Sequence, residues 1–562
     1  MTAPARSLSL RDWGLLFLVC LGLFLPGFAS LPPTDRDESR YVVTSERMAD
    51  TGDFVDLRFQ EQPRYLQPAG IYWLQALSAI ALDSPGHDTI WAYRVPSLLG
   101  AIFAVLLTGW IGAHFFGRTE GLVAAALLAA CFSLNFEARI AKIDAALLAS
   151  ITVTQLALMR AYLEPASGRW TSALFWAALG VAILLKGPIV LIVSGTTIAG
   201  LVLWDRKAAW LRRLRPLWGP LVTLAIAAPW LIAIGVISHG GFYQRSVVRN
   251  FLGKVGAGEQ GHHGPPGYHL ALFIFAFWPG SLLAMRAVAH VWRERAQPVV
   301  RFMLCWIIPT WVVFEFTATK LPHYVLPTYP AIACLAAAAA VAPNPANDNR
   351  LRTIIFAVAS ALWLGASGLI AASAPLALKR IQGVTDPIAI ALAVCVVLAA
   401  CAALWFLWKG RLARALAGLT IAAAFAWLNI FGYTAPRLDN LWLSRRIDAV
   451  ARTVQPCVGA PLITTPYSEP SLVFLYGRTR THITATGAEA AEALAEASPC
   501  GLALIGAPKR ADFLARAAQL GLVLTPLNRI SGRNYSDDAN ADLILYSAAQ
   551  AQSAPEQDRA NR

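Results

Sequence analysis

Charge is what this sequence has least of. Asp, Glu, Lys and Arg make up 14% of the 562 residues, where a soluble domain carries about 25%. With 57% hydrophobic residues and a mean hydropathy of +0.52, that shortage excludes an ordinary soluble enzyme. A cleavable leader is also missing. The first apolar run, Trp13 to Leu31, ends in LPPTDRDES rather than a small-x-small site, and more runs follow, so it reads as a retained helix. No internal repeat is visible, although transporters often show one. Cysteine is scarce outside apolar chain. Cys20, Cys131, Cys305, Cys334, Cys395 and Cys401 lie in apolar runs as small core residues. Only Cys457 and Cys500 occupy polar chain, where a disulfide is open but its geometry cannot be read from sequence. Finally, the net charge of +14 does not gather in one soluble domain, which argues against nucleic acid as a partner. The basic residues sit in short loops between apolar runs, with binding of membrane lipid headgroups a further use.

What is present is a series of apolar runs of membrane-spanning length. About thirteen are expected: 13–31, 92–113, 119–135, 143–160, 171–185, 187–204, 217–237, 269–287, 300–318, 324–342, 353–376, 386–408 and 414–434. The break between the fifth and sixth rests on Lys186-Gly187-Pro188 alone. Arg6, Arg11, the loop DRKAAWLRRLR (205–215), the loop 286–301 and the turn Lys409–Arg414 then share one side. The positive-inside bias makes that side cytoplasmic, so loops 32–91 and 238–268 and the chain after about 435 face outward. The segment PNPANDN (343–349) reads as a turn-rich cytoplasmic loop. The expected domains are a transmembrane part, 1–435, an external α/β domain, 436–550, and a disordered tail, 551–562. Within 436–550, PLITTPY, SLVFLY, LALIGA and ADLILYS read as strands, with helices at 488–496 and 511–520.

Against this apolar background five polar constellations stand out. The stretch 35–73 carries five arginines and the acidic cluster Asp35, Asp37 and Glu38. If a helix begins near Asp37, Arg40 and Tyr41 follow one turn on. A carboxylate there can orient or deprotonate an acceptor while a guanidinium holds a phosphate. The plain alternative is acidic residues favouring a helix N-terminus. Second is Arg139-Ile-Ala-Lys142-Ile-Asp144, where Asp144 is either a helix cap or a site residue. Third is Lys186, which can snorkel or ligate a phosphate. Fourth is Lys320-Leu-Pro-His323-Tyr324, a cation, an imidazole and a phenol fixed by prolines. Fifth is the loop 258–269, where His262, His263 and His269 with Glu259 could bind a metal. The His-His pair lacks regular zinc-motif spacing, so a flexible Gly/Pro loop over a site is the plainer reading.

The segments DESRYVVTSERMADTGDF (37–54), PAGIYWLQ (68–75), AKID (141–144), LLKGP (184–188), GEQGHHGP (258–265) and KLPHYVLPTYP (320–330) together resemble the ArnT-like lipid A aminoarabinose transferases. These belong to the GT-C glycosyltransferase superfamily, with the protein O-mannosyltransferases. The likeness extends over most of residues 10–345. It implies a polytopic α-helical membrane protein, a bundle of about thirteen transmembrane helices with a C-terminal periplasmic α/β domain. It implies an inner-membrane enzyme with a periplasmic active site, moving a sugar from a polyprenyl-phosphate carrier to lipid A or lipopolysaccharide. By the same resemblance Asp37 is the main catalytic carboxylate with Asp144 beside it. Arg40 and Tyr324 hold the carrier phosphate, and Lys320 and Lys186 add positive charge, with Tyr41 and His323 nearby. One departure matters. Many members carry Glu-Lys-Pro where this chain has Leu66-Gln67-Pro68. There the glutamate shares a divalent metal with a loop histidine, so a metal at His262 loses its second ligand. Protein O-glycosylation and lipid-linked sugar transport are the competing expectations. Nothing in the sequence requires more than one chain.

Overall fold

In the computed structural model, residues 7–83, 88–253, 264–342 and 350–550 are described. The chain is a polytopic helical membrane protein. Among the described residues nine helices are long and apolar enough to cross a membrane, from Ile90–Phe115 to Leu412–Arg437. The other four expected spans are shorter or broken. α1 (Leu10–Phe24) ends before Pro26, and 119–135 divides at Cys131 into Arg118–Ala130 and Phe132–Glu137. The helix Ile189–Asp205 is 17 residues long, and 269–287 is interrupted around Pro279, which has no N–H to continue a helix. The expected tail 551–562, the loop 343–349 and the histidines His262 and His263 lie outside the described residues.

The chain forms two compact units, Met1–Leu31 with Thr44–Arg437 and Pro32–Val43 with Leu438–Arg562. The boundary differs from the one expected at 435. More telling, the start of the expected external loop 32–91 clusters with the C-terminal unit. The dividing point falls inside one helix, α2 (Asp37–Thr51).

In the first unit, α4 (Ile90–Phe115) packs against α5 (Arg118–Ala130) and α7 (Asp144–Leu163), and α7 packs against α8 (Arg169–Lys186). α4 and α7 meet so closely at Gly100 that a Cβ there would lie 2.8 Å from the Ala146 backbone. Two fully buried arginines hold the chain where α1 stops. Arg94 donates to the carbonyls of Phe28 (2.9 Å) and Leu31 (2.8 Å). Arg139 donates to the Pro26 carbonyl at 2.6 Å and to those of Leu23 and Asn135, with Phe431 beneath its guanidinium. Carbonyls left open at a helix end are costly away from water. Arg139, read from sequence as part of a site motif, is thus spent on α1.

The second unit is a three-layer α/β domain. Its sheet runs β4 (Thr481–Ile483), β3 (Leu462–Thr465), β5 (Leu502–Gly506), β7 (Ala539–Gln550), β6 (Leu522–Asn534). β4, β3 and β5 are parallel, and β7 and β6 form an antiparallel hairpin at the edge. Alternation along the strands feeds two cores. Leu462, Leu502 and Leu504 face Ile447 and Tyr476, while Ile463, Ala503 and Ile505 face Leu494 and Phe513. SLVFLY is not a strand but the buried helix Pro470–Tyr476. A short apolar run does not distinguish the two, and Pro470 sits at its first turn, where proline is pre-organised for a helix. Cys457 and Cys500 are disulfide-bonded across a Cα separation of 5.3 Å.

Candidate active site

The site is built where four chain segments of the first unit end. Asp144 is the first residue of α7, where the helix dipole favours a carboxylate. Lys186 is the last residue of α8, where it favours a cation. Gly187 then takes a left-handed φ of +60°, and Pro188 starts the next helix. Glu137 closes the short helix Phe132–Glu137. His323 and Tyr324 lie on the tight turn Pro322–Thr328.

These ends bring five ionisable groups together. Lys186 Nζ donates to Asp144 Oδ1 at 2.5 Å. Lys142 Nζ lies 3.7 Å from both Asp144 Oδ2 and Glu137 Oε1. His323 spans the same two carboxylates, with Nδ1 3.6 Å from Glu137 Oε1 and Nε2 3.7 Å from Asp144 Oδ2. Asp144, Lys142, Glu137 and His323 therefore form a closed ring, with Lys186 attached to it at Asp144. Glu137 is 1% exposed, a burial a carboxylate tolerates only with partners. Ser97 fixes the ring from behind, donating to the Lys142 carbonyl at 2.9 Å.

Asp144, Lys186, His323 and Tyr324 line one end of a cavity of about 880 Å³. Its walls are apolar, with Leu147, Ile183, Ile189, Leu231, Phe242, Val313 and Phe314 among them. Leu66 and Gln67 also line it. Ser246 Oγ (3.1 Å) and Asn250 Nδ2 (2.9 Å) donate to the Leu66 carbonyl, holding that loop against the chain 244–252. An elongated molecule with an anionic head and a hydrocarbon body matches such a chamber.

Not every residue expected from sequence is gathered here. Asp37, Arg40 and Tyr41 lie in the part of α2 that clusters with the second unit, with Asp37 exposed at its first position. Lys320 is turned away, donating to the Gly264 carbonyl at 2.9 Å, and does not line the cavity. His269 is engaged on both ring nitrogens, by Glu315 (3.2 Å) and the Leu321 carbonyl (3.1 Å). Glu137 was missed from the sequence. Its signal was an acid inside the apolar stretch FSLNFEA, which is a site hypothesis by default in a membrane segment.

Two places bear on a divalent metal. At Leu66 the side chain offers no ligand atom, so the residues do not fit one. Glu137, Asp144 and His323 bring ligand atoms within 4.8 Å of one another. Yet two ammonium groups already balance the two carboxylates, one in direct contact at 2.5 Å. A divalent ion would be forced beside both lysines. The cluster is an ion-pair network.

Residues 33–239 match the dolichyl-phosphate-mannose-protein mannosyltransferase family. An undecaprenyl phosphate-α-4-amino-4-deoxy-L-arabinose arabinosyl transferase of Pseudomonas paraeruginosa is 28% identical over 338 residues, 57% of each chain. The corresponding protein of Yersinia pestis is 25% identical over 372 residues, 62% of this chain and 65% of its own. The match thus spans less than two thirds of these relatives' lengths. Among solved structures, ArnT from Cupriavidus metallidurans bound to undecaprenyl phosphate superposes with a TM-score of 0.73 at 19% identity, covering 96% of this chain and 98% of its own. The chain has the fold of ArnT. A weaker fold match, the oligosaccharyltransferase of Archaeoglobus fulgidus, gives a TM-score of 0.52 at 11% identity over 92% of this chain and 69% of its own.

Proposed function

We propose that this ArnT-like protein is an inner-membrane glycosyltransferase moving a sugar from a polyprenyl-phosphate carrier to lipid A or lipopolysaccharide on the periplasmic face. The observation that carries the reading is the cavity itself, largely apolar in its lining and bordered by Lys186, His323 and Tyr324. A carrier phosphate would meet Lys186, His323 and Tyr324. An isoprenoid chain would follow the apolar walls. The names of the Pseudomonas and Yersinia relatives favour an undecaprenyl phosphate donor.

The reaction asks little of the protein beyond charge placement. The acceptor oxygen forms a bond to the anomeric carbon, and the bond from that carbon to the phosphate oxygen breaks. The electron pair leaves on the phosphate, so cations that bind it more strongly as negative charge grows lower the barrier. For a hydroxyl acceptor the released proton goes to a carboxylate, which we assign to Asp37. Direct displacement inverts the anomeric centre. Asp144, already matched by Lys186 and Lys142, orients those lysines rather than taking the proton.

Two experiments test this. Lipid and lipopolysaccharide masses from a deletion strain and the wild type should differ by one sugar residue, while identical masses would remove the lipid acceptor. Asp37→Asn should abolish transfer in protein that still inserts and folds, and full activity in that variant would reassign the base. A protein acceptor is the second reading, favoured by the mannosyltransferase family match over 33–239, and it predicts the added mass on protein instead.

A further inference from the structure

The residues around Asp37 are fixed by an arrangement the proposed reaction does not explain. Asp35, two residues upstream, donates its backbone N–H to Tyr535 Oη at 2.6 Å. Its carboxylate Oδ1 accepts from the Ser471 N–H at 3.2 Å. Arg36 pairs with Asp537 at 2.7 Å and also reaches the Ser536 carbonyl. It holds a φ of +63°, which a non-glycine residue keeps only when its surroundings enforce it. Glu38 is buried and accepts from both the backbone and the hydroxyl of Thr34 at 2.9 Å. Tyr535, Ser536 and Asp537 form the tip of the β6–β7 hairpin, and Trp442 packs edge-on against the Tyr535 ring. Ser471 lies on the helix Pro470–Tyr476, its hydroxyl tied to Ser444 at 2.6 Å. All of these belong to the second unit.

We propose that the β6–β7 hairpin tip and the Ser471 turn form a clasp that sets the first turn of α2, with Asp35, Tyr535 and Ser471 as positioning residues for Asp37. This rests on the reading of Asp37 as the catalytic carboxylate. The clasp also carries a proton. Asp35 sits beside Glu469, itself held by Asn534 at 2.7 Å. Burial, then the neighbouring Glu469 charge, outweigh the Ser471 and Tyr535 hydrogen bonds and push the Asp35 carboxyl up to about 7. The other groups facing it are two tyrosines, Glu469, Glu38 and Arg36. The Tyr467 and Tyr535 hydroxyls are pushed above their ordinary values by burial and by Asp35. Glu38 faces Tyr535, and Arg36 is turned to Asp537. A raised carboxyl favours the closed clasp fully below the ordinary carboxylate range, and this support is lost as pH rises through about 7. The clasp is therefore tightest in acid.

The test is amide hydrogen exchange on residues 32–43 of the full-length protein in nanodiscs, alongside added sugar mass on lipid extracted from a complemented deletion strain. Tyr535→Phe removes the acceptor for the Asp35 N–H. Exchange across 35–39 should speed up about tenfold, as expected for one lost hydrogen bond, and sugar transfer should fall several-fold. Asp35→Asn keeps an oxygen for Ser471 and cannot ionise. It should flatten the loss of exchange protection, taken relative to the intrinsic rate, between pH 5 and 8. The clasp is overturned if Tyr535→Phe leaves exchange unchanged, if exchange rises without loss of transfer, or if Asp35→Asn keeps the wild-type pH profile. Failure of the base assignment is distinguishable, since it shows as transfer by Asp37→Asn whatever the exchange result.

Discussion

Replacing Lys186 by methionine probes the cavity most directly. The ammonium lines the cavity and lies 2.5 Å from Asp144, so the substitution keeps the stem and removes the charge. Two effects follow. Asp144 loses its nearest cation but keeps Lys142 and His323, each at 3.7 Å. The folding cost should therefore be at or below the low end of the ~3–5 kcal/mol for a broken buried pair. A phosphate in the cavity loses one hydrogen bond to a charged group, worth about 1.5–3 kcal/mol. At 1.4 kcal/mol per tenfold, affinity for undecaprenyl phosphate should fall roughly 10- to 150-fold. Binding to purified protein in nanodiscs measures it. Lys320→Met is the control, because that ammonium is spent on the Gly264 carbonyl, and affinity there should change less than about twofold while stability drops by about 1 kcal/mol. Unchanged affinity in Lys186→Met would refute the assignment, as would equal losses in the two variants.

Three further outcomes are expected. Glu137→Gln removes the buried carboxylate shared by Lys142 and His323, and thermal unfolding should show a loss of about 3 kcal/mol. Arg139→Met leaves the Pro26, Leu23 and Asn135 carbonyls open, which should cost about 2–4 kcal/mol and lower the yield of folded protein in detergent. Cys457→Ser with Cys500→Ser opens a loop spanning a sequence separation of 43, which should destabilise the α/β domain by about 4 kcal/mol in chemical denaturation, with transfer at low temperature preserved.

The spans were legible because an uninterrupted apolar run of twenty residues has few alternatives. Their breaks were not. Nothing in LLAACFSLNFE announces a division at Cys131, which places Glu137 on its own short helix, next to Lys142 and His323. In the α/β domain, β3, β5 and β7 were visible as apolar clusters, whereas β6 carries Pro526, Asn528, Arg529 and Arg533 and reads as loop. Its hairpin partner β7 and the register between them supply the pairing that its own residues do not advertise. The grouping of 32–43 with the α/β domain was invisible too, because it depends on contacts nearly 500 residues apart in sequence, such as Asp35 to Tyr535.

The site follows the same division. Asp144, Lys186, His323 and Tyr324 were identifiable one at a time, as polar residues that an apolar bundle retains only for a reason. What sequence could not give was the stoichiometry of the cluster: two carboxylates, Lys142 and an imidazole in one ring, with a second ammonium, Lys186, attached at Asp144. That stoichiometry has a chemical consequence. With the imidazole neutral the cluster carries no net charge, so it can be buried without a ligand. Lys186 is the ammonium of this cluster that lines the cavity, and it is the contact offered to an anionic ligand there. The hydrocarbon walls then raise the strength of every such contact by excluding water. Leu66 and Gln67 on the cavity wall carry no charge, so Lys186 at the end of α8 is the ammonium group that the described lining presents.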